Sequence, residues 1–417
     1  MIKNSESVQV KELNWKRNVF VLAFSVGCTS AGYTMLVPFL PMYLLELGVS
    51  EQNVAMWSGI VFSVTFFVAA IMAPLWGKMA DKGGKRLMAI RAGIGLAIVY
   101  FLGGVVTSPE QLFWVRVLQG VANGFLPAAL AIASMSAPQD KLGYSLGVVQ
   151  TGVIIGSVLG PLLGGAIAHV IGMRASFMLA GVVLLFVVLL VAIVVKEPAP
   201  PVQLAADSPA MPKDQSILGD MKYALHNRVL MEMLVLAFII SFSNMVLQPV
   251  ITLYIAQIQG SMDNVILTSG IVFSLGGIAG ALSTTFWGTF GQRRSYFIVL
   301  VLAFCGAGLF NFLQYFPETV KGFAVLQFFF GLFFVGANPA VSAMLVKSTD
   351  AAFRGRVFGL MTTANQSGSM VGPLVGSFIS TMFGIRSVFL FTGPMLLMIG
   401  IAVYYRYVAH KKPAVQR

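Results

Sequence analysis

Long stretches without Asp, Glu, Lys or Arg alternate with short charged segments along the whole chain. Each stretch is close to or above the roughly 20 apolar residues that a helix needs to span a bilayer. None shows the strict polar–apolar alternation of a membrane β-barrel strand. The pattern predicts an all-α integral membrane protein with twelve transmembrane helices. The twelve stretches are residues 18–45, 52–77, 92–109, 117–139, 142–173, 175–195, 233–262, 264–292, 295–317, 322–346, 357–385 and 387–405.

The hexapeptide SGIVFS occurs at residues 58–63 and again at 269–274. Flanking residues match at the same offset, for example Trp76 with Trp287, and a longer set of glycines matches one position further along. The chain is therefore predicted to be a duplicated six-helix unit. We expect a cytoplasmic N-terminus at 1–17, a six-helix bundle at 18–195, a proline-rich cytoplasmic linker at 196–228, a second bundle at 229–408 and a cytoplasmic tail at 409–417.

Composition agrees with a membrane protein. Hydrophobic residues make up 57% of the 417 residues and charged residues 10%, with a mean hydropathy of +0.85. Soluble domains carry about 25% charged residues. The net charge of +12 does not indicate nucleic acid, because 23 of the 27 Lys and Arg residues fall on one side when twelve spans are threaded from a cytoplasmic N-terminus. That bias predicts that both termini are cytoplasmic.

Signatures of enzymes and metal sites are sparse. The three histidines lie at or beyond the ends of predicted spans, and no HExxH motif or zinc-like Cys/His spacing occurs. Cys28 and Cys305 both lie within spans, which does not support a disulfide framework. We expect no enzymatic activity, no metal and no cofactor.

Glycines spaced four apart follow one face of the fifth predicted span: Gly152, Gly156, Gly160 and Gly164, with Pro161 among them. This spacing lets helix backbones approach closely. The eleventh span repeats the stripe with Gly368, Gly372, Gly376 and Pro373. We expect the stripes to meet small-residue faces such as Gly276, Gly277 and Gly280, at an interface that moves between the halves. Ordinary tight packing is the alternative.

The loop GKMADKGGKR at residues 77–86 carries one carboxylate, Asp81, whereas its second copy, GTFGQRR, carries none. We expect Asp81 to dock at the start of the eleventh span, near Arg354 and Arg356, and to tie the halves together. Gly77, Gly84 and Arg86 complete the predicted conformational switch.

These motifs resemble the major facilitator superfamily, in its twelve-helix drug/proton antiporter group of bacterial exporters. Residues 77–86 are similar to the superfamily's loop signature. RVLQG at 116–120 is similar to the fourth-helix signature, with its buried arginine, and residues 152–165 to the glycine–proline signature of exporters. The resemblance implies two six-helix bundles around a central cavity that opens alternately to each side of the bacterial cytoplasmic membrane.

The sequence departs from the fluoroquinolone exporters of that group in its seventh and tenth spans. FSNMVLQP (242–249) and FFVGANPA (333–340) contain no acid. The cavity is therefore predicted to bind through amides and aromatic rings. The candidates are Phe62, Phe66, Gln119, Asn123, Gln150, Asn244, Gln248, Phe273, Asn338 and Asn365; for the phenylalanines, packing or lipid contact is the alternative.

Three residues are candidates for proton coupling. Arg116 lies about 7.5 Å into the fourth span, and the resemblance implies that it faces the cavity; snorkelling to the headgroups is the alternative. Gln327 stands at the equivalent position of the second half. Glu46 ends the first span without a basic sequence neighbour, whereas Glu232 follows Arg228 by four residues and can pair with it.

Taken together, the sequence predicts a monomeric, proton-driven exporter of small lipophilic drugs in the lipid bilayer. One alternative is a transporter of the same build for a sugar, a siderophore or a lipid-like metabolite. The other is a membrane sensor or scaffold without transport.

Overall fold

The computed structural model describes residues 14–197, 227–349 and 354–411, except for the side chains of Asp81, Gln139 and residues 354–356 and 409–411. Within these ranges the chain forms fourteen α-helices and no β-strand. The helices are α1 Trp15–Glu46, α2 Val54–Gly83, α3 Lys85–Val105, α4 Pro109–Ala122, α5 Phe125–Ser136, α6 Leu142–Ile171, α7 Met173–Val194, α8 Arg228–Gln259, α9 Val265–Arg293, α10 Tyr296–Leu313, α11 Val320–Phe334, α12 Ala337–Lys347, α13 Arg354–Phe383 and α14 Ser387–Lys411.

Two spans are broken near their centres. Helices α4 and α5 together form the span Pro109–Ser136, and α11 and α12 form Val320–Lys347. The first break lies at Gly124, whose φ of +123° is readily adopted only by glycine. Among the described residues, eleven helical segments are long and apolar enough to cross a membrane. The 30-residue helix α13 is the twelfth long segment, and its Thr, Ser, Asn and Gln residues make it less apolar.

Side-chain hydrogen bonds recur at equivalent positions of the two halves. The Tyr43 hydroxyl donates to the carbonyl oxygen of Gly103 at 2.8 Å, and the Tyr254 hydroxyl donates to that of Gln314 at 2.9 Å. The Trp76 indole donates to the carbonyl of Val121 at 2.9 Å, and its counterpart Trp287 donates to that of Leu332 at 2.7 Å. Residues that the sequence repeats in the two halves therefore form equivalent contacts.

The glycine stripes pack inside each bundle, on its first helix. A Cβ atom on Gly160 of α6 would lie 2.6 Å from the carbonyl oxygen of Ala31 on α1. A Cβ atom on Gly372 of α13 would lie 2.7 Å from the carbonyl oxygen of Phe242 on α8. The expectation that the stripes meet Gly276, Gly277 and Gly280 at a moving interface is therefore wrong, because the close approach joins two helices of the same bundle.

We call the side of the molecule where α1 begins and α14 ends the terminus side, and the other side the opposite side. The two halves meet on the opposite side. Gly59 of α2 lies against Pro373 of α13, and Gly270 of α9 lies against Pro161 of α6. The Ser274 hydroxyl adds a hydrogen bond to the carbonyl of Val158, at 2.7 Å. These contacts close the opposite side.

Core packing follows the same division. Phe39 and Tyr43 lie near the C-terminal end of α1, on the opposite side. They share one hydrophobic core with Tyr254 and other residues of the second bundle. On the terminus side the first bundle has a separate core, which includes Leu22 and Phe125. The space between the halves therefore opens towards the terminus side.

The start of the predicted linker lies against the first bundle. The Asn18 side-chain amide donates to the carbonyl of Lys196 at 2.8 Å. The Glu197 carboxylate accepts from the backbone N–H groups of Lys85 and Arg86, at 2.7 and 2.9 Å, which places a negative charge at the N-terminus of α3. Residues 198–226 lie outside the described residues.

Candidate substrate cavity

A cavity of about 820 Å³ lies between the two halves. Helices α1 and α6 of the first half and α8, α9, α11 and α12 of the second contribute its walls. None of the described residues that line it is charged. Its polar groups are the amides and hydroxyls of Thr34, Gln150, Ser157, Asn244, Gln248, Thr284, Gln327, Asn338 and Ser342.

Half of the predicted cavity residues meet there: Gln150, Asn244, Gln248, Phe273 and Asn338. Apolar contact area comes from Phe330, Phe334 and neighbouring valines and isoleucines. A pocket of this size with apolar walls and a few amides can bind a drug-sized molecule. It can satisfy hydrogen-bonding groups, but it offers no fixed charge to neutralise an ion.

The other predicted cavity residues point elsewhere. Phe62 and Gln119 are buried inside the first bundle, 3% and 4% exposed, and Phe66 packs edge-on against Tyr33 with 6.1 Å between ring centroids. The Asn365 side-chain oxygen accepts from the Ser241 hydroxyl at 3.0 Å, between α13 and α8. Assigning them to the central cavity was wrong, because each side chain leaves its helix on a face that packs against a neighbour.

Asn123 lines a second cavity, of about 450 Å³, on the terminus side. Its walls include Trp76 and Lys85 from the first half and Thr362 from the second. The Arg91 guanidinium lies 3.7 Å from the centre of the Trp76 ring and donates to the carbonyls of Val121 and Asn123, at 3.1 and 2.9 Å. Arg91 therefore satisfies carbonyl groups left open where α4 ends.

Arg116 lies within the first bundle and is 2% exposed, which excludes snorkelling. Its Nη1 donates to Gln119 Oε1 at 2.6 Å, and its guanidinium lies 6.0 Å from the centre of the Phe62 ring. Its Nε and Nη2 have no hydrogen-bond partner among the described residues. It lies near Tyr100 and Phe177 inside the bundle. The expectation that Arg116 faces the central cavity is therefore wrong in this conformation, because α4 turns this side chain into its own bundle.

Both candidate carboxylates are ion-paired. Glu46 Oε1 lies 3.2 Å from Arg174 Nε at the opposite side, where both side chains are about two-fifths exposed. Glu232 contacts Arg406 at 2.8 Å and Arg228 at 3.2 Å, so the predicted pairing with Arg228 is confirmed. The partner of Glu46 was missed because Arg174 is distant in sequence.

The predicted switch is described only in part. Gly77 lines the second cavity. Gly84 connects α2 to α3 with a φ of +92°, which favours glycine, and the Arg86 guanidinium donates to the carbonyl of Ala192. The side chains of Asp81, Arg354 and Arg356 lie outside the described residues, so their pairing stays a prediction.

Several cavity residues were not predicted from the sequence, notably Thr34, Ser157 and Gln327. One signal for Gln327 was present, since it stands at the repeat position of Arg116. A sequence signal also existed for the glycines at the contacts between the halves, because Gly59 and Gly270 are the second residue of each SGIVFS copy.

Comparison with known proteins identifies the family of this chain. The sequence profile of the Major Facilitator Superfamily matches residues 22–320 and 267–417. The chain belongs to the Major Facilitator Superfamily. It is therefore a multi-pass membrane transporter and not an enzyme.

Similar members of this superfamily are multidrug resistance proteins. MdtG of Escherichia fergusonii is 33% identical over 387 residues, which cover 92% of this chain and 93% of that protein. MdtG of Proteus mirabilis is 31% identical over 404 residues, which cover 96% and 97%.

Solved structures of the superfamily share the fold. The nucleoside transporter NupG matches with a TM-score of 0.75 at 16% identity, over 94% of this chain and 99% of that one. A bacterial homolog of the human lysosomal transporter Spinster, solved inward-facing and unoccupied, matches with a TM-score of 0.74 at 14% identity, over 94% and 96%. At these identities the likeness shows the fold alone.

Proposed function

We propose that the protein is a proton-driven exporter of small lipophilic drugs that works by alternating access. The observation that carries this proposal is the uncharged cavity of about 820 Å³, lined by both halves. The similarity to multidrug resistance proteins supports drugs as the substrates.

The terminus side is proposed to be cytoplasmic, with both termini on the cytoplasmic side of the bacterial cell membrane. The distribution of Lys and Arg along the sequence supports this orientation. The described structure then corresponds to an inward-facing state, which receives substrate from the cytoplasm or the inner leaflet.

Release requires the opposite side to open. The contacts that must separate are Gly59 with Pro373 and Gly270 with Pro161. The intra-bundle glycine stripes keep each bundle rigid while the bundles rotate against each other. Asp81, docking near Arg354 and Arg356, would close the terminus side in the other state.

Proton coupling is proposed to depend on Arg116, with Glu46 and Glu232 as the weaker candidates. The buried guanidinium of Arg116 has two donor groups without a partner among the described residues, and a buried charge is costly unless it is paired. Glu46 and Glu232 each lie in an ion pair that protonation would disrupt.

Ethidium accumulation tests the proposal. Cells that express the protein should retain less dye than cells with an empty vector, and a protonophore should abolish the difference. Accumulation that stays unchanged across a panel of lipophilic drugs would reject drug export and favour a transporter of another solute. A difference that resists the protonophore would reject proton coupling alone.

A further inference from the structure

Four side chains of the second bundle form a continuous hydrogen-bonded chain that ends at the central cavity. The Thr392 hydroxyl donates to Asn311 Oδ1. Asn311 Nδ2 donates to Gln314 Oε1 at 3.2 Å, and Gln314 Nε2 donates to Gln327 Oε1 at 2.7 Å. The first three are fully buried, and Gln327, which lines the cavity, is 6% exposed.

The chain has a direction. Each amide accepts through its oxygen and donates through its nitrogen, so the oxygen of Gln327 is occupied and its Nε2 group is the terminal donor. Chains of hydrogen bonds polarise one another, which strengthens the donor at the end. Fixed amides of this kind also lose little freedom when they bind a ligand.

Gln327 reaches the wall of the central cavity beside a glycine. Gly276 of α9 packs against the amide of Gln327, and a Cβ atom on this glycine would lie 3.3 Å from Gln327 Nε2 and crowd it. Gly276 and Gln327 both line the central cavity. In the first half, the equivalent position to Gln327 is held by Arg116, another N–H donor, but one that is buried within its bundle.

We propose that Gln327 Nε2 recognises an acceptor oxygen, such as a carbonyl, on the transported molecule. Asn311, Gln314 and Thr392 are then positioning residues that fix the orientation of this amide. The inference rests on the proposed function, since it assigns a substrate feature to the cavity of that function. Gln327 then favours lipophilic compounds that carry an acceptor oxygen over compounds of the same shape that lack one.

Three rigid tricyclic probes of similar shape separate the possibilities. Fluorene has no strong hydrogen-bonding group, 9-fluorenone adds a carbonyl acceptor, and carbazole instead carries an N–H donor. The purified full-length protein in detergent is titrated with each probe, and affinity is obtained from the rise in its thermal denaturation midpoint. We expect 9-fluorenone to bind about fivefold more tightly than fluorene, as for one net hydrogen bond.

Variants identify the donor and its supports. Gln327→Met should remove the preference for the ketone while leaving fluorene binding in place. Thr392→Val should reduce the preference and Thr392→Ser should retain it, because serine keeps the hydroxyl. Gln52→Met is the matched control. Gln52 is exposed just before α2 begins, on the opposite side, so its replacement should leave the preference for the ketone unchanged.

Several outcomes would overturn the inference. They are equal binding of 9-fluorenone and fluorene, no binding of any probe, and a ketone preference that survives in Gln327→Met. Preferred binding of carbazole would show the reverse polarity, in which the Thr392 hydroxyl donates to the carbonyl of Val388, 2.8 Å away, and Gln327 offers its oxygen.

The result is independent of the export assay, because binding in detergent uses no proton gradient. Ketone selectivity without proton-driven dye export would reject only the proposed function. Dye export with selectivity that ignores Gln327 would reject only this inference.

Discussion

Gly270 of α9 lies so close to Pro161 of α6 that a Cβ atom on the glycine would collide with the proline's carbonyl oxygen. The equivalent pair in the other half-to-half contact is Gly59 and Pro373, where the same atom would lie 2.6 Å from the carbonyl oxygen. Two related contacts therefore close the opposite side, and both depend on glycine.

Gly270→Ala should weaken this closure. Overpacking costs about 1–3 kcal/mol, which shifts the population towards the state open at the opposite side by about five- to 150-fold. The measurement is labelling of a cysteine placed at Ile251, in the cavity, by an impermeant maleimide added to intact cells, with Cys28 and Cys305 replaced. We expect faster labelling. Gly147→Ala is the control, because no atom lies within 4 Å of its added Cβ, and equal rates in both variants would contradict the gate.

Gly160→Leu should destabilise the first bundle. Its side chain would be forced against Ala31 and Thr34 of α1, so the effect is lost packing within one bundle and not a block between two access states. We expect a lower thermal denaturation midpoint of the purified protein and less folded protein in the membrane, with a penalty of about 1–3 kcal/mol or more. A variant as stable as Gly147→Ala would show that close approach at this face is dispensable.

Arg116→Ala should insert normally yet lose proton-driven dye exchange, by about tenfold or more, the factor that a 1.4 kcal/mol change in a barrier produces. Arg116→Lys should restore only part of it, because lysine lacks the planar fork that donates to Gln119. Dye transport driven by a pH gradient in vesicles measures both. Near-normal exchange in Arg116→Ala would exclude Arg116 from coupling.

Glu46→Gln should lower drug/proton exchange much less than Arg116→Ala, because Glu46 lies in a partly exposed ion pair with Arg174 away from the central cavity. Removing such a surface pair costs about 0–1 kcal/mol of stability. The check is pH-gradient-driven exchange over a range of external pH. A loss of exchange with an unchanged denaturation midpoint would make Glu46 a proton carrier after all.

Asp81→Asn should reduce export while folding and membrane insertion survive. The reason is a lost interaction with the basic start of α13, worth about 0.3–1 kcal/mol at a helix terminus. Dye efflux and the amount of membrane-inserted protein are measured in the same cells. Efflux at the wild-type rate would make Asp81 an ordinary solvated loop charge.

The glycine stripes show how far sequence reasoning reached. A spacing of four residues identified the face of α6 that approaches another backbone, because helical periodicity is a local property. It could not name the partner, since α1 and α9 both offer small residues. In the structure the glycine stripe of α6 packs on α1. The contact between the halves is made by Gly270 of α9 and Pro161, which lies on another face of α6.

The sequence alone determined the helical class, the twelve spans, the duplication and the superfamily, because the length of apolar runs and repeated motifs are encoded along the chain. Only the tertiary structure decided that Arg116 and Phe62 are buried within a bundle, that Glu46 meets Arg174, and that Gln327 ends a hydrogen-bonded chain at the cavity. These facts depend on which faces of helices distant in sequence pack together. Periodicity orients a side chain around its own helix but does not fix the neighbour that it meets.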